Sequence, residues 1–205
     1  MNKFLDEAWK WFLLGIPPIP IIRGDKRPAV AWKKYQNEMP SPQDLIRWFS
    51  DDQHNIAIIG GWEGLAVLDF DDYRWFEVWQ AIYPWINTYM VKSGRESVGV
   101  HAYFYCQNQD VKSLPGVVDV KGERAYFLIP PSIHPKTGRP YTVMNDAPIM
   151  RIENLSSVAG MLSRREATPQ YQEPVQVAPP QHIEQKPLSL IDKLDIPYKP
   201  VSVVE

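Results

Sequence analysis

Two apolar runs of strand length, Asn55-Ile56-Ala57-Ile58-Ile59 and Leu65-Ala66-Val67-Leu68, are separated by the glycine-bearing segment Gly60-Gly61-Trp62-Glu63-Gly64. The second run leads directly into Asp69-Phe70-Asp71. Aliphatic, partly β-branched runs this short commit this part of the chain to a sheet, and the glycines between them predict a turn that folds the pair into a hairpin. The two-residue period of a strand then points Asp69 and Asp71 to the same side. Neighbouring like charges at the end of an apolar strand repel strongly in a low dielectric, so the pattern calls for a cation, of which Mg²⁺ or Mn²⁺ is the obvious one. A plainer reading stands beside it: Asp71 and Asp72 occupy the place where Asp caps a following helix.

The rest of the chain alternates between helical and strand patterns. Phe4, Leu5, Ala8, Trp9, Trp11 and Phe12 recur at helical spacing over residues 2–14, until Gly15 and Pro17 stop the pattern. A short strand is expected over 19–23, with Pro20 marking an edge. Ser41-Pro42-Gln43-Asp44 has the order of a capping box with proline at the first helical position, which predicts a helix over 42–49 with Trp48 and Phe49 turned inward. Trp75, Phe76, Val78, Trp79, Ile82 and Tyr83 give a helix over 73–86 that covers one side of the sheet. Further strands are expected over 88–91, 100–106, 117–120, 125–129 and 141–143, and a closing helix over 156–165. The fold class is α/β in the α+β sense: a mixed, largely antiparallel sheet with flanking helices, in one domain over residues 1–166.

Seven prolines with many glutamines follow residue 167, so 167–205 reads as a flexible tail or linker. Within it, residues 188–196 could dock a partner. A formal net charge of −2 gives no global attraction to nucleic acid, and any such binding must come from local basic clusters. One cluster combines Arg23, Lys26, Arg27, Lys33 and Lys34, suited to a template backbone or a nucleotide phosphate and equally compatible with a plain exposed turn. The single cysteine, Cys106, sits in an apolar run and is expected to be an inert core thiol, which suits a reducing cytoplasm. No apolar run approaches the roughly 18 residues of a membrane span, and no secretory leader is expected. Most of the eight Trp lie at helical spacing and belong to the core; Trp62, in the glycine turn, is the one expected to be open enough to stack on a base.

Six blocks occur in a recognisable order: Lys26-Arg27-Pro28 with Trp32 downstream; Asn55-Ile56-Ala57-Ile58 before Gly60; Asp69-Phe70-Asp71; Ser93-Gly94 leading to Gly99-Val100-His101-Ala102-Tyr103-Phe104; Val118-Asp119-Val120-Lys121-Gly122; and Ile129-Pro130-Pro131-Ser132 with Gly138 and Tyr141 beyond. In these blocks, over roughly residues 5–165, the chain resembles the N-terminal primase-polymerase domains of the archaeo-eukaryotic primase superfamily. The resemblance implies that Asp69, Asp71 and Asp119 hold divalent ions, Mg²⁺ or Mn²⁺, and that His101 contacts the incoming nucleoside triphosphate. It also implies template-directed nucleotidyl transfer on single-stranded DNA in DNA replication. Phosphoryl transfer of this kind runs on two ions about 3.5 to 4 Å apart, and Mg²⁺ takes several of its ligands from water and substrate phosphate, so three carboxylates suffice.

Around that set, Arg95, Lys121 and Arg124 adjoin expected ligands and are candidate phosphate donors, with a solvated loop charge as the alternative. Lys121 follows Asp119 by two residues and so faces the same side. Ser132 and His134, beside the prolines, either touch the nucleotide or simply build a turn. His101 alone, without the other blocks, would read as a satisfied core residue. The chain departs from the family pattern at Arg95-Glu96-Ser97-Val98, which lengthens the approach to His101, at Gly99, where several relatives carry Ser, and at Glu123-Arg124-Ala125, where relatives run on in glycine. No Gly-x-x-x-x-Gly-Lys sequence occurs, so a separate helicase is the expected partner. Two alternatives stay open: a metal-dependent nuclease, and a replication-initiation or single-strand binding module without catalysis.

Overall fold

In the computed structural model, which describes residues 2–160, the first helix, α1 (Lys3–Leu13), begins at a side-chain cap. Asn2 Oδ1 accepts from the Phe4 N–H at 3.0 Å, satisfying a backbone donor that the helix itself cannot, a contribution of about 1 kcal/mol. Phe4, Ala8 and Trp11, at spacings of four and three, are the buried stripe of this helix. The predicted capping box forms at α2 (Pro42–Phe49): Asp44 N–H donates to Ser41 Oγ at 3.1 Å and Ser41 N–H donates back to Asp44 Oδ2 at 3.0 Å. Trp48 and Phe49 are buried, as expected.

Strands β1 (Pro18–Ile22), β2 (His54–Ile59) and β7 (Tyr126–Leu128) make a three-stranded antiparallel sheet in the order β1-β2-β7. Pro20 lies on its edge strand, where the missing N–H costs no ladder bond. The second sheet has the order β6-β3-β5-β4-β8, from β3 (Leu65–Phe70), β4 (Met90–Lys92), β5 (Val100–Asn108), β6 (Asp119–Lys121) and β8 (Thr142–Asn145). Strand β9 (Met150–Asn154) joins β5 in parallel while the other pairs are antiparallel, so the expected mixed, largely antiparallel arrangement is what the chain adopts. Helices α3 (Tyr73–Ile82) and α4 (Ser156–Ala159) complete the described elements. The part of the closing helix expected beyond residue 160, and the tail from residue 167, lie outside the described residues. No helix among the described residues is long and apolar enough to cross a membrane.

The expected hairpin of β2 with β3 does not form. The two strands belong to different sheets, and the glycine segment carries the chain from one to the other. The reason lies in burial: all six residues of β3 are buried, so it needs cover on both faces and takes a central place between β5 and β6. The crossing is possible because side chains are missing. A Cβ on Gly60 would stand 2.4 Å from the Gly122 carbonyl oxygen, and one on Gly64, which has φ +75°, would stand 2.4 Å from that of Cys106.

Two cores result, one on each face of the second sheet. Leu65, Val67 and Tyr103 face α1, α2 and the first sheet. Ala66, Leu68, Phe70, Val100, Ala102 and Phe104 face Phe76 and Trp79 of α3 and Val158 of α4. Cys106 belongs to this second core, and burial pushes its thiol up to about 11, as expected of an unreactive group.

Candidate functional site

The alternation that sorts β3 between the cores decides where Asp69 points. It follows Leu65 and Val67 onto the first-sheet side, beyond the end of that core. In the ladders Asp69 is directly opposite His101 of β5 and Asp119 of β6, and residues opposite one another in an antiparallel pair share a face. Lys121, two residues past Asp119, is opposite Val67 on the same face. Where the first sheet parts from the second, a cavity of about 350 Å³ opens between β7 and these strands, and Asp69, Asp71, Asp119, His101, Lys121 and Arg95 all line it. Residues 69, 71, 101 and 119 are therefore gathered by three strands into one place.

Asp69 is the most enclosed carboxylate there, 6 % exposed. Its Oδ1 lies 3.3 Å from His101 Nε2, and its Oδ2 accepts from Lys121 Nζ. Burial alone would raise its pKa, but His101 first and Lys121 next outweigh that and hold the carboxyl well below its ordinary value, so it is ionised at neutral pH. Asp71, just past the end of β3, is exposed and pairs with Arg95. Asp119 is exposed and has no ion-pair partner among the described residues. Asp72, not Asp71, caps α3, accepting from the Arg74 N–H at 2.9 Å. The capping alternative thus holds for Asp72 alone, and Asp71 is left to the cavity.

Three hard carboxylates on one wall are the donor chemistry that Mg²⁺ or Mn²⁺ takes. Among the described residues no three His, Cys, Asp or Glu side chains are drawn together closely enough to enclose an ion by themselves. An ion held here would have to complete its shell from water and substrate phosphate, and Lys121 and Arg95 would have to give up Asp69 and Asp71 to it.

Cations line the same cavity. Lys26 reaches it from the loop after β1, whose backbone is held by Tyr126 Oη donating to the Lys26 carbonyl at 3.2 Å. Partial burial, with Arg95 and Lys121 nearby, lowers the pKa of Lys26 from its ordinary value. His101 is buried, and its Nδ1 has no hydrogen-bond partner among the described residues. Ser93, Tyr126 and Tyr141 also line the cavity and were not singled out from the sequence as site residues. Burial and the charge of Asp69 push Tyr141 up to about 12, so its hydroxyl is a hydrogen-bond donor throughout the physiological range.

Other residues singled out in the sequence fall elsewhere. Arg124 lines a separate groove with Trp32, Lys33 and Trp62. Trp62 is half-buried rather than open, and its Nε1 donates to the Tyr35 carbonyl at 3.0 Å. Arg27 pairs with Asp25 out in solvent. His134 is buried beside Thr137 and lines a second cavity that shares Asp71 and Arg95 with the first. Burial, then Lys26, Arg95 and Lys136, lowers its pKa and favours the neutral ring.

Ser132 is fully buried, donates from Oγ to the Ile56 carbonyl at 2.8 Å and accepts from the Ile56 N–H at 2.9 Å. Both bonds fasten the turn after β7 to β2, which is the turn-building alternative. Ser132→Ala strands the buried Ile56 N–H, while the Ile56 carbonyl keeps the Ile129 N–H at 3.2 Å, so it should cost about 1 to 3 kcal/mol in urea unfolding.

A family model described as the N-terminal domain of bifunctional DNA primase/polymerases matches residues 9–157 of the chain, a span that contains every residue lining the carboxylate cavity. No curated protein matches the chain.

Proposed function

Because the chain belongs to the bifunctional DNA primase/polymerase N-terminal family, we propose that it carries out template-directed transfer of nucleotides from nucleoside triphosphates, with divalent ions held at Asp69, Asp71 and Asp119. The observation that carries this reading is the single cavity in which those three carboxylates face Lys26, Arg95, Lys121 and His101. A site for a nucleoside triphosphate and cations needs both signs of charge at once, and among the described residues Asp119 and Lys26 stand outside the ion pairs that join Asp69 to Lys121 and Asp71 to Arg95.

Divalent ions, when bound, supply charge neutralisation on the triphosphate and activation of the attacking 3′-oxygen. The chain's own residues do the rest by exchange of partners. An arriving triphosphate offers Lys121 and Arg95 oxygens that are better matched than a single carboxylate, so these cations move toward phosphate and free Asp69 and Asp71 as ligands. Lys26, already lowered in pKa and in no ion pair among the described residues, adds a third positive contact at the cavity wall. His101, with its Nε2 3.3 Å from Asp69 Oδ1, is held in place on the lining of the cavity. The enclosing walls from β7, Phe127 and Leu128, limit water around the reacting phosphate.

The reading is tested by incubating the protein with a single-stranded template, labelled nucleoside triphosphates and Mg²⁺ or Mn²⁺, with Asp69→Ala/Asp71→Ala alongside. The expected result is incorporation and pyrophosphate release by the wild type that vanish in the double variant. Equal product from both would refute it, and strand shortening without triphosphate would point to a nuclease.

A further inference from the structure

The largest concave surface among the cavities described is not the carboxylate cavity. It is a groove of about 910 Å³ lined by Trp32, Lys33, Gln36, Asn37, Trp62 and Arg124, with Gly60, Gly61 and Glu123 on its floor and rim. The geometry points to this groove as a binding track for single-stranded nucleic acid that delivers the strand to the carboxylate cavity.

Three features support that assignment. First, two indoles, both half-buried, stand on the groove from separate 3-10 turns, Trp32–Gln36 and Trp62–Gly64, and each is fixed in place. Trp62 is anchored through its Nε1 to the Tyr35 carbonyl, and Trp32 packs edge-on against Tyr126 with centroids 4.8 Å apart. Rigid aromatic faces that keep some exposure are what a sequence-tolerant base contact requires, because every base has a π-face. Second, Lys33 and Arg124 flank the indoles and are exposed, so they can meet phosphates on either side of a stacked base. Arg124 is held at φ +63°, an uncommon backbone for a non-glycine residue, and Gly122 before it is pressed against Gly60; together these fix the turn that presents its side chain. Third, the groove adjoins the other site. Tyr126, the ring that Trp32 packs against, is itself a wall of the carboxylate cavity, so a strand seated on Trp32 and Trp62 has only that ring between it and the carboxylates.

This assignment deepens the function proposed above by giving the template a path, yet it is measured without catalysis. The probe is a fluorescently labelled oligodeoxythymidylate, titrated with protein in EDTA and without nucleoside triphosphates, read by anisotropy. Wild type should bind, and Trp32→Ala and Trp62→Ala should each weaken binding roughly fivefold to a hundredfold, the range of one lost base stack. Because these tryptophans also pack on the first core, Lys33→Glu and Arg124→Gln, which change exposed side chains, serve as the second set. Each should weaken binding several-fold, and the wild-type salt dependence should show a log–log slope of about −1.4, from two phosphates at about −0.7 each. Oligouridylate should bind similarly, since stacking and these two charges do not read the sugar.

If all four variants keep wild-type affinity while remaining folded by circular dichroism, the groove is not the track. Nucleotide incorporation that persists in that case leaves the proposed function standing. Strand binding that depends on the groove, in a protein that incorporates nothing with either ion, upholds the track and sinks the enzymatic reading instead.

Discussion

Asp119→Asn is expected to leave the protein folded and to remove at least about a hundredfold of its nucleotide incorporation. The floor of that figure comes from residues that only orient a metal ligand, whose loss costs up to about a hundredfold; a residue proposed as a ligand itself should cost no less. Asp119 is the cleanest of the three carboxylates to change. It is exposed on the edge strand β6 and pairs with no cation among the described residues, so the amide replaces it without stranding a partner. Asp69 offers no such clarity, because its loss would leave Lys121 and His101 facing each other over an empty place. The measurement is the rate of labelled nucleotide incorporation at saturating template, with unfolding midpoints for both proteins. A variant as active as wild type would take Asp119 out of the site. A variant that bound template normally while its parent also failed to incorporate would favour the binding-module alternative.

Trp79→Ala is expected to destabilise the domain by about 3 to 5 kcal/mol, the usual cost of emptying a buried tryptophan site, against a total of about 5 to 15 kcal/mol for a domain of ordinary stability. Trp79 is fully buried at the centre of the second core, with Phe70, Phe76, Tyr83 and Phe104 around its ring. Its Nε1 also donates to the Val158 carbonyl at 2.6 Å, joining α3 to α4. Trp79→Phe, which keeps most of the ring and loses that bond, should cost about 1 to 2 kcal/mol. Phe70 lies between Asp69 and Asp71, so the damage should reach the carboxylates from behind: the alanine variant should show reduced activity that a stabilising osmolyte partly restores. Denaturant unfolding followed by far-ultraviolet circular dichroism checks the first figure, and a change below about 1 kcal/mol would contradict this account of the core.

What could be read in advance followed from rules that act over a few residues. Ser41 and Asp44 define the start of α2 because each satisfies a backbone donor of the other, and Pro20 identifies an edge because only an edge spares its missing N–H. Asp69 and Asp71 came from strand period, and residues 69, 101 and 119 proved to be neighbours across a sheet. Pairing between distant strands was less legible. The two apolar runs around Gly60 and Gly64 have the local chemistry of a hairpin, and only the demand of β3 for cover on both faces separates them. Strand β9 gives little signal although Met150 and Ile152 alternate with Arg151 and Glu153, because half-exposed residues make a weak pattern over a short length. Ser132 shows the same limit in the site: a hydroxyl beside prolines reads alike whether it meets a phosphate or the backbone of β2, and only the structure reveals Ile56 at both ends of its hydrogen bonds.

The ladder partners of Asp69 also bear on how the chain finds its fold. Were β3 to slip by a single residue against β5 and β6, Asp69 would be thrust among Phe76, Trp79 and Phe104, where an ionised carboxylate has nothing to pair with. The acidic rung therefore penalises misaligned sheets whatever chemistry it takes part in, and a chain stripped of its carboxylates would lose a guard against misfolding.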